Sequence, residues 1–81
     1  FGDVGIEQVR VSETSQLAGR TIEEMQLRRE HGVIVLAIRR ADGNMELSPL
    51  PDAKVGGGDF LIVMGQREGL RKLERLFEVR P

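Results

Sequence analysis

The sequence predicts a small α+β fold: a mixed four-stranded sheet carrying two helices, in the order strand, helix, strand, strand, strand, helix. Three observations predict it. Two short runs, Val33–Ile38 and Phe60–Met64, are apolar at every position and suit buried strands. Thr21 and Glu24 stand at capping-box spacing around the start of a short helix. Leu70, Leu73, Leu76 and Phe77 recur at helical spacing near the end of the chain. The 81 residues suffice for one small domain, expected over 1–81 with its core at about 6–77. The start at Phe1 is read as the edge of a piece cut from a longer protein.

Ile6–Val11 reads as the first strand, with Val9 and Val11 on one face and Gln8 and Arg10 on the other. "SETSQLAG" is turn-rich. In "TIEEM", Thr21 can cap the first free N–H groups and Glu24 can reach back to close the box. Glu23 and Glu24 also suit the positive end of a helix, which should run about two turns and stop before Gly32. Val33–Ile38 is the second strand. "ADGN" at 41–44 is a hairpin signal, since Gly43 accepts the positive φ such a turn needs, and Met45–Leu47 should return as the third strand. "SPLPDAKVGGGD" reads as a loop, its glycines forming a tight turn that leads into the fourth strand, Phe60–Met64. Gly65 should break that strand, and Arg67–Glu78 should form the closing helix, weakened at Gly69.

Composition narrows the function. Without cysteine there is neither a disulfide nor a thiolate metal site, and an intracellular setting is favoured. Twelve basic and thirteen acidic residues leave a net charge of −1, which does not suggest nucleic acid as the main partner. With three phenylalanines and no Trp or Tyr, a base-stacking platform is not expected either. The longest apolar run is about a third of a membrane span.

No catalytic residue is assigned and no enzyme is expected, because no acid–base pair or activated nucleophile is visible. Ser12, Ser15 and Ser48 lie in no nucleophile motif. His31 is the only histidine, too little for a metal site, and reads as a helix-end residue or a ligand contact. Glu23, Glu24 and Glu30 read as a solvated face or a weak divalent-ion signal; no metal ligand is assigned. Arg28, Arg29 and His31 lie between a helix end and a buried strand. There they either complement the helix C-terminus or grip a phosphate or carboxylate.

A strand apolar on both faces needs two covers. With two helices available, the economical second cover is another copy, so a homodimer is expected with Val33, Ile34, Val35 and Leu36 at its interface. The alternative is that both helices and the proline-rich loop cover the sheet within one chain.

"SQLAGRTIEEMQLRREHGVIVLAIRR", then "SPLPDAKVGGGDFLIVMG", then the leucine helix resemble the RCK-C domain, also called the TrkA-C domain, over most of the chain. The elements are "LAGRTI", "LR…GV…AIRR", "P…V..GD.LIV.G" and the terminal helix. The resemblance implies a dimeric regulatory domain of potassium channels, potassium uptake systems and cation–proton antiporters. Such a domain lies on the cytoplasmic side of the plasma membrane, partnered by a membrane subunit and an RCK-N domain. It also implies ligands such as cyclic di-AMP or divalent cations, and maps a ligand site onto Arg28, Ile34, Val35 and Pro49, beside His31. Cyclic di-AMP-binding members often carry Asn where Ile34 stands, and Ile34 cannot make that polar contact. Regulation would proceed by population shift between dimer arrangements. The same module on a transcription regulator or an antiporter-associated subunit is the alternative.

Overall fold

The computed structural model describes residues 2–77. The order is β1 (Val4–Arg10), α1 (Ile22–Met25), α2 (Leu27–His31), β2 (Ile34–Arg39), β3 (Met45–Leu47), β4 (Phe60–Gln66) and α3 (Arg67–Phe77). Glu78, expected as the last helical residue, lies outside the described residues.

The sheet runs β1-β4-β2-β3, and every pairing is antiparallel. The expected mixed sheet is corrected here. β1 and β2 do run in the same direction, but β4 lies between them, so the two like-directed strands never exchange hydrogen bonds. The hairpin forms where expected: Gly43 takes φ 95°, and the Arg40 N–H donates to the Asn44 carbonyl at 2.7 Å.

The capping box forms as well. The Glu24 N–H donates to the Thr21 hydroxyl at 3.1 Å, and the Thr21 N–H donates to the Glu24 carboxylate at 2.9 Å. The Thr21 backbone N–H, and after it the Thr21 hydroxyl, hold the Glu24 carboxyl below its ordinary range. The expected single two-turn helix is split in two, because Gln26 takes a left-handed conformation (φ 52°) between α1 and α2.

β4 does not stop at Gly65. It continues to Gln66 and passes directly into α3, with Gly65 paired to Gly5. The missing side chain makes room instead: a Cβ on Gly65 would come within 2.9 Å of the Gly32 carbonyl oxygen and of Val33. Gly69 does the same about a helical turn later, where a Cβ would collide with the His31 carbonyl oxygen. The two glycines let the start of α3 press against the end of α2.

The core lies on one face of the sheet. Val9, Val33, Ile38, Leu61 and Val63 meet Met25 and Leu27 from the first helical segments and Leu70, Leu73 and Phe77 from α3. The register explains why β2 is apolar throughout. It shifts between Val35 and Ala37, so Leu36 is an extra residue and the alternation changes phase. Val33 and Val35 pack on or against the core before the bulge, and Ile38 packs into it after. Ile34, Leu36 and Ala37 are left for the opposite face.

No helix covers that opposite face among the described residues. Val4, Ile6, Ile34, Met45 and Leu47 are exposed on it, Ile6 at 64% and Leu47 at 75%. The alternative weighed from sequence, that both helices and the proline-rich loop cover the sheet within one chain, leaves these residues uncovered among the described residues. At one end Phe60 is covered by the Arg39 guanidinium, 4.4 Å from the ring centre.

Candidate functional site: a groove at the start of β2

The groove is built by a loop that lends its carbonyls to a helix. The first N–H groups of α1 have no partner within the helix. The Ile22 N–H donates to the Ala53 carbonyl at 2.9 Å, and the Glu23 N–H to the Pro51 carbonyl at 2.9 Å. Proline cannot donate but keeps its acceptor, so a proline-rich loop can serve a helix start. The Val55 N–H donates to the Arg20 carbonyl and the Gly19 N–H to the Val55 carbonyl, which ties the same loop to the chain ahead of α1.

Between these two walls lies an open groove of about 760 Å³, within the size range of small-molecule sites. Ile22, Glu23, Gln26, Leu27, Arg28 and Arg29 form one wall. Val33, Ile34 and Val35 contribute the start of β2, and Pro49 and Pro51 the other wall. The apolar residues come mainly from the strand and the loop. Among the described residues every charged lining residue comes from the helical wall, where Arg28 and Arg29 are exposed in the last turn of α2. Cations there sit at the negative end of the helix and remain free to meet an anion.

Arg28, Ile34, Val35 and Pro49 all line this groove. His31 does not; it is half-buried at the end of α2, and its Nδ1 is shielded with no hydrogen-bond partner among the described residues. Of the four residues expected at a chain–chain interface, Val33 is fully buried in its own core and has no surface to offer a partner. Ile34 is exposed, and Val35 and Leu36 are half-buried. Glu24 is spent in the capping box, and among the described residues no three His, Asp or Glu side chains converge as a metal ion would need.

Two features carry no simple sequence signal. Gln26 lines the groove from a left-handed backbone, a conformation sequence spacing did not announce. Away from the groove, Arg40, Glu46 and Asp59 form a cluster. The Arg40 guanidinium donates to Glu46 at 2.8 Å, to Asp59 at 3.0 Å and to the Lys54 carbonyl at 2.6 Å. Asp59 also accepts from the N–H groups of Gly56 at 2.8 Å and Ala41 at 3.0 Å. Burial pushes the Asp59 carboxyl up, but the donations from Gly56, Arg40 and Ala41 outweigh it and leave the group below its ordinary range. Burial opposes the Arg40 charge, yet its bonds to Glu46 and Asp59 outweigh that and displace the guanidinium upward. The cluster pins the "GGGD" turn to the β2–β3 hairpin.

The sequence profile of the TrkA-C domain matches residues 6–78. The chain is 33% identical over 73 residues to the K(+)/H(+) antiporter subunit KhtT of Bacillus subtilis, covering 90% of this chain and 44% of that protein. It is 30% identical over 66 residues to an uncharacterized transporter of Rhodopirellula baltica, covering 82% of this chain and 12% of that one. It therefore spans less than half the length of these curated relatives. Among solved structures it resembles the RCK C domain of the potassium transport protein KtrA in complex with cyclic di-AMP. That likeness has a TM-score of 0.81 and 27% identity, covering 91% of this chain and 84% of that one. It also resembles the RCK_C domain dimer of S. agalactiae BusR in complex with cyclic di-AMP, at a TM-score of 0.84 and 25% identity over 98% and 96% of the two chains. A longer BusR structure, in complex with its busAB-promoter DNA, matches at a TM-score of 0.82 and 25% identity, covering 93% of this chain and 36% of that one.

Proposed function

The chain belongs to the TrkA-C domain family, and from that footing we propose that it is a ligand-sensing, dimerising domain on the cytoplasmic side of the plasma membrane. There it regulates a potassium channel or a related cation transporter. One observation carries the reading: Arg28, Ile34, Val35 and Pro49 come together in one groove, with cations on the helical wall and apolar residues opposite. That division suits a ligand with an anionic group and flat apolar parts, which is the chemistry of cyclic di-AMP, the ligand in the KtrA and BusR domain structures. Ile34 reaches both the groove and the bare sheet face, so a second copy packed there repeats each groove contact across a two-fold axis.

In the proposed mechanism a ligand held by two copies favours one arrangement of the pair over another, and the difference in affinity is what drives the transport path. No catalytic role is assigned. The second reading keeps the module and changes what it is joined to. KhtT is an antiporter subunit, and one BusR structure holds promoter DNA. The expectation of no nucleic-acid partner is accordingly confined to this domain, whose charge is nearly balanced.

Sedimentation equilibrium of the chain, alone and with cyclic di-AMP or calcium, tests the proposal. A dimer tightened by either ligand is expected, and Ile34→Asp should yield a folded monomer. A wild-type monomer indifferent to both ligands would overturn the reading.

A further inference from the structure

Among the described residues, Gln26 is the one neutral polar side chain lining the groove; Glu23, Arg28 and Arg29 are the charged ones. Its backbone is left-handed at φ 52°, a conformation that costs a residue with a Cβ and is often found at functional positions. Its carboxamide is also fixed. The Nε2 group donates to the Glu23 carbonyl at 2.8 Å. Because that partner can only accept, the amide orientation is decided, with nitrogen on the Glu23 side. The remaining polar atom, Oε1, accepts no hydrogen bond from the described residues. Gln26 thus lines the same wall as two cations, and its Oε1 is left as an uncharged acceptor.

We infer that Gln26 selects the base: its Oε1 accepts the exocyclic amine of an adenine ring whose phosphate lies on Arg28. An anionic acceptor would serve less well so near a phosphate, which leaves Glu23 the poorer candidate. Adenine presents an N–H donor at the position where guanine presents a carbonyl oxygen. Against Oε1 the first makes a hydrogen bond and the second sets two acceptors face to face, leaving both unpaired. The inference rests on the groove being a ligand site, as proposed above, and adds the group that tells one purine nucleotide from another.

Gln26→Gly tests it, because glycine takes a left-handed backbone without strain and removes only the side chain. The probes are cyclic di-AMP and cyclic di-GMP, titrated calorimetrically into the wild-type chain and the variant. Urea unfolding should show the variant at least as stable as the wild type. Its affinity for cyclic di-AMP should fall roughly tenfold to hundredfold, one hydrogen bond being lost in each half of the dimer. Its preference over cyclic di-GMP should shrink with it. A folded variant that keeps affinity and preference, or that loses both dinucleotides equally, would overturn the role of Gln26 and leave the groove standing. A wild-type chain that binds neither would overturn the groove and the inference together.

Discussion

Replacing Gly69 by alanine sets two physical effects against each other, and the structure says which wins. Gly69 lies in the first turns of α3, where alanine is the better helix former by about 1 kcal/mol. On propensity alone Gly69→Ala stabilises the protein. The new Cβ, however, would run into the His31 carbonyl oxygen and come within 3.5 Å of Val33. The obstacle is backbone at the end of α2, which cannot swing aside as a side-chain tip can. Relief requires α3 to lift away from α2, opening the contact that Gly65 also serves. Overpacking of this kind costs about 1–3 kcal/mol. Subtracting the helix gain leaves a net loss between about 0 and 2 kcal/mol, centred on about 1 kcal/mol. Urea unfolding followed by far-UV circular dichroism, at matched chain concentration, should show a lower midpoint with an unchanged slope. A variant more stable than wild type by about 1 kcal/mol would refute the claimed helix–helix approach.

The Asp59 cluster should govern the acid limb of stability. Its carboxyl titrates lower in the folded chain than in the unfolded one, so its contribution is complete above about pH 4 and is lost as the pH falls through the folded value. Asp59→Ala should cost about 2–3 kcal/mol at pH 7, and the gap to wild type should narrow below about pH 4 in urea titrations run across that range. A gap that stays constant would contradict the assignment. Thr21→Ala should cost about 1 kcal/mol by removing one half of the capping box, measured by the same unfolding assay. Leu47→Ser, on the bare face, should leave the stability of a dilute monomer almost unchanged; a loss above about 2 kcal/mol there would mean that Leu47 is packed within its own chain.

The legible features of this fold are those decided by neighbours in sequence. The Thr21–Glu24 box, the "ADGN" turn and the leucine periodicity of α3 each involve residues within a few positions of one another. The structure forms all three, α3 as far as Phe77. Of the candidate groove, Arg28, Ile34, Val35 and Pro49 are named from the sequence, through a family resemblance that supplies what spacing could not. The illegible features depend on distant partners. Gly65 and Gly69 look like breakers until Gly32, Val33 and the His31 carbonyl are placed against them. The run at the start of β2 looks like a strand buried twice over. In fact a bulge at Leu36 changes its phase and leaves Ile34 and Ala37 on the far face. Arg40 and Asp59 are nineteen positions apart, and the left-handed Gln26 has no glycine to announce it.

On the function proposed, the groove beside β2 is a ligand site shared by two copies. Calorimetric titration of cyclic di-AMP into the chain, run in parallel with Arg28→Ala, tests this most directly. One ligand per two chains is expected, with affinity reduced roughly tenfold or more in the variant, since each Arg28 gives up a charge-assisted hydrogen bond. Binding that ignores Arg28, or saturation at one ligand for every chain, would contradict it.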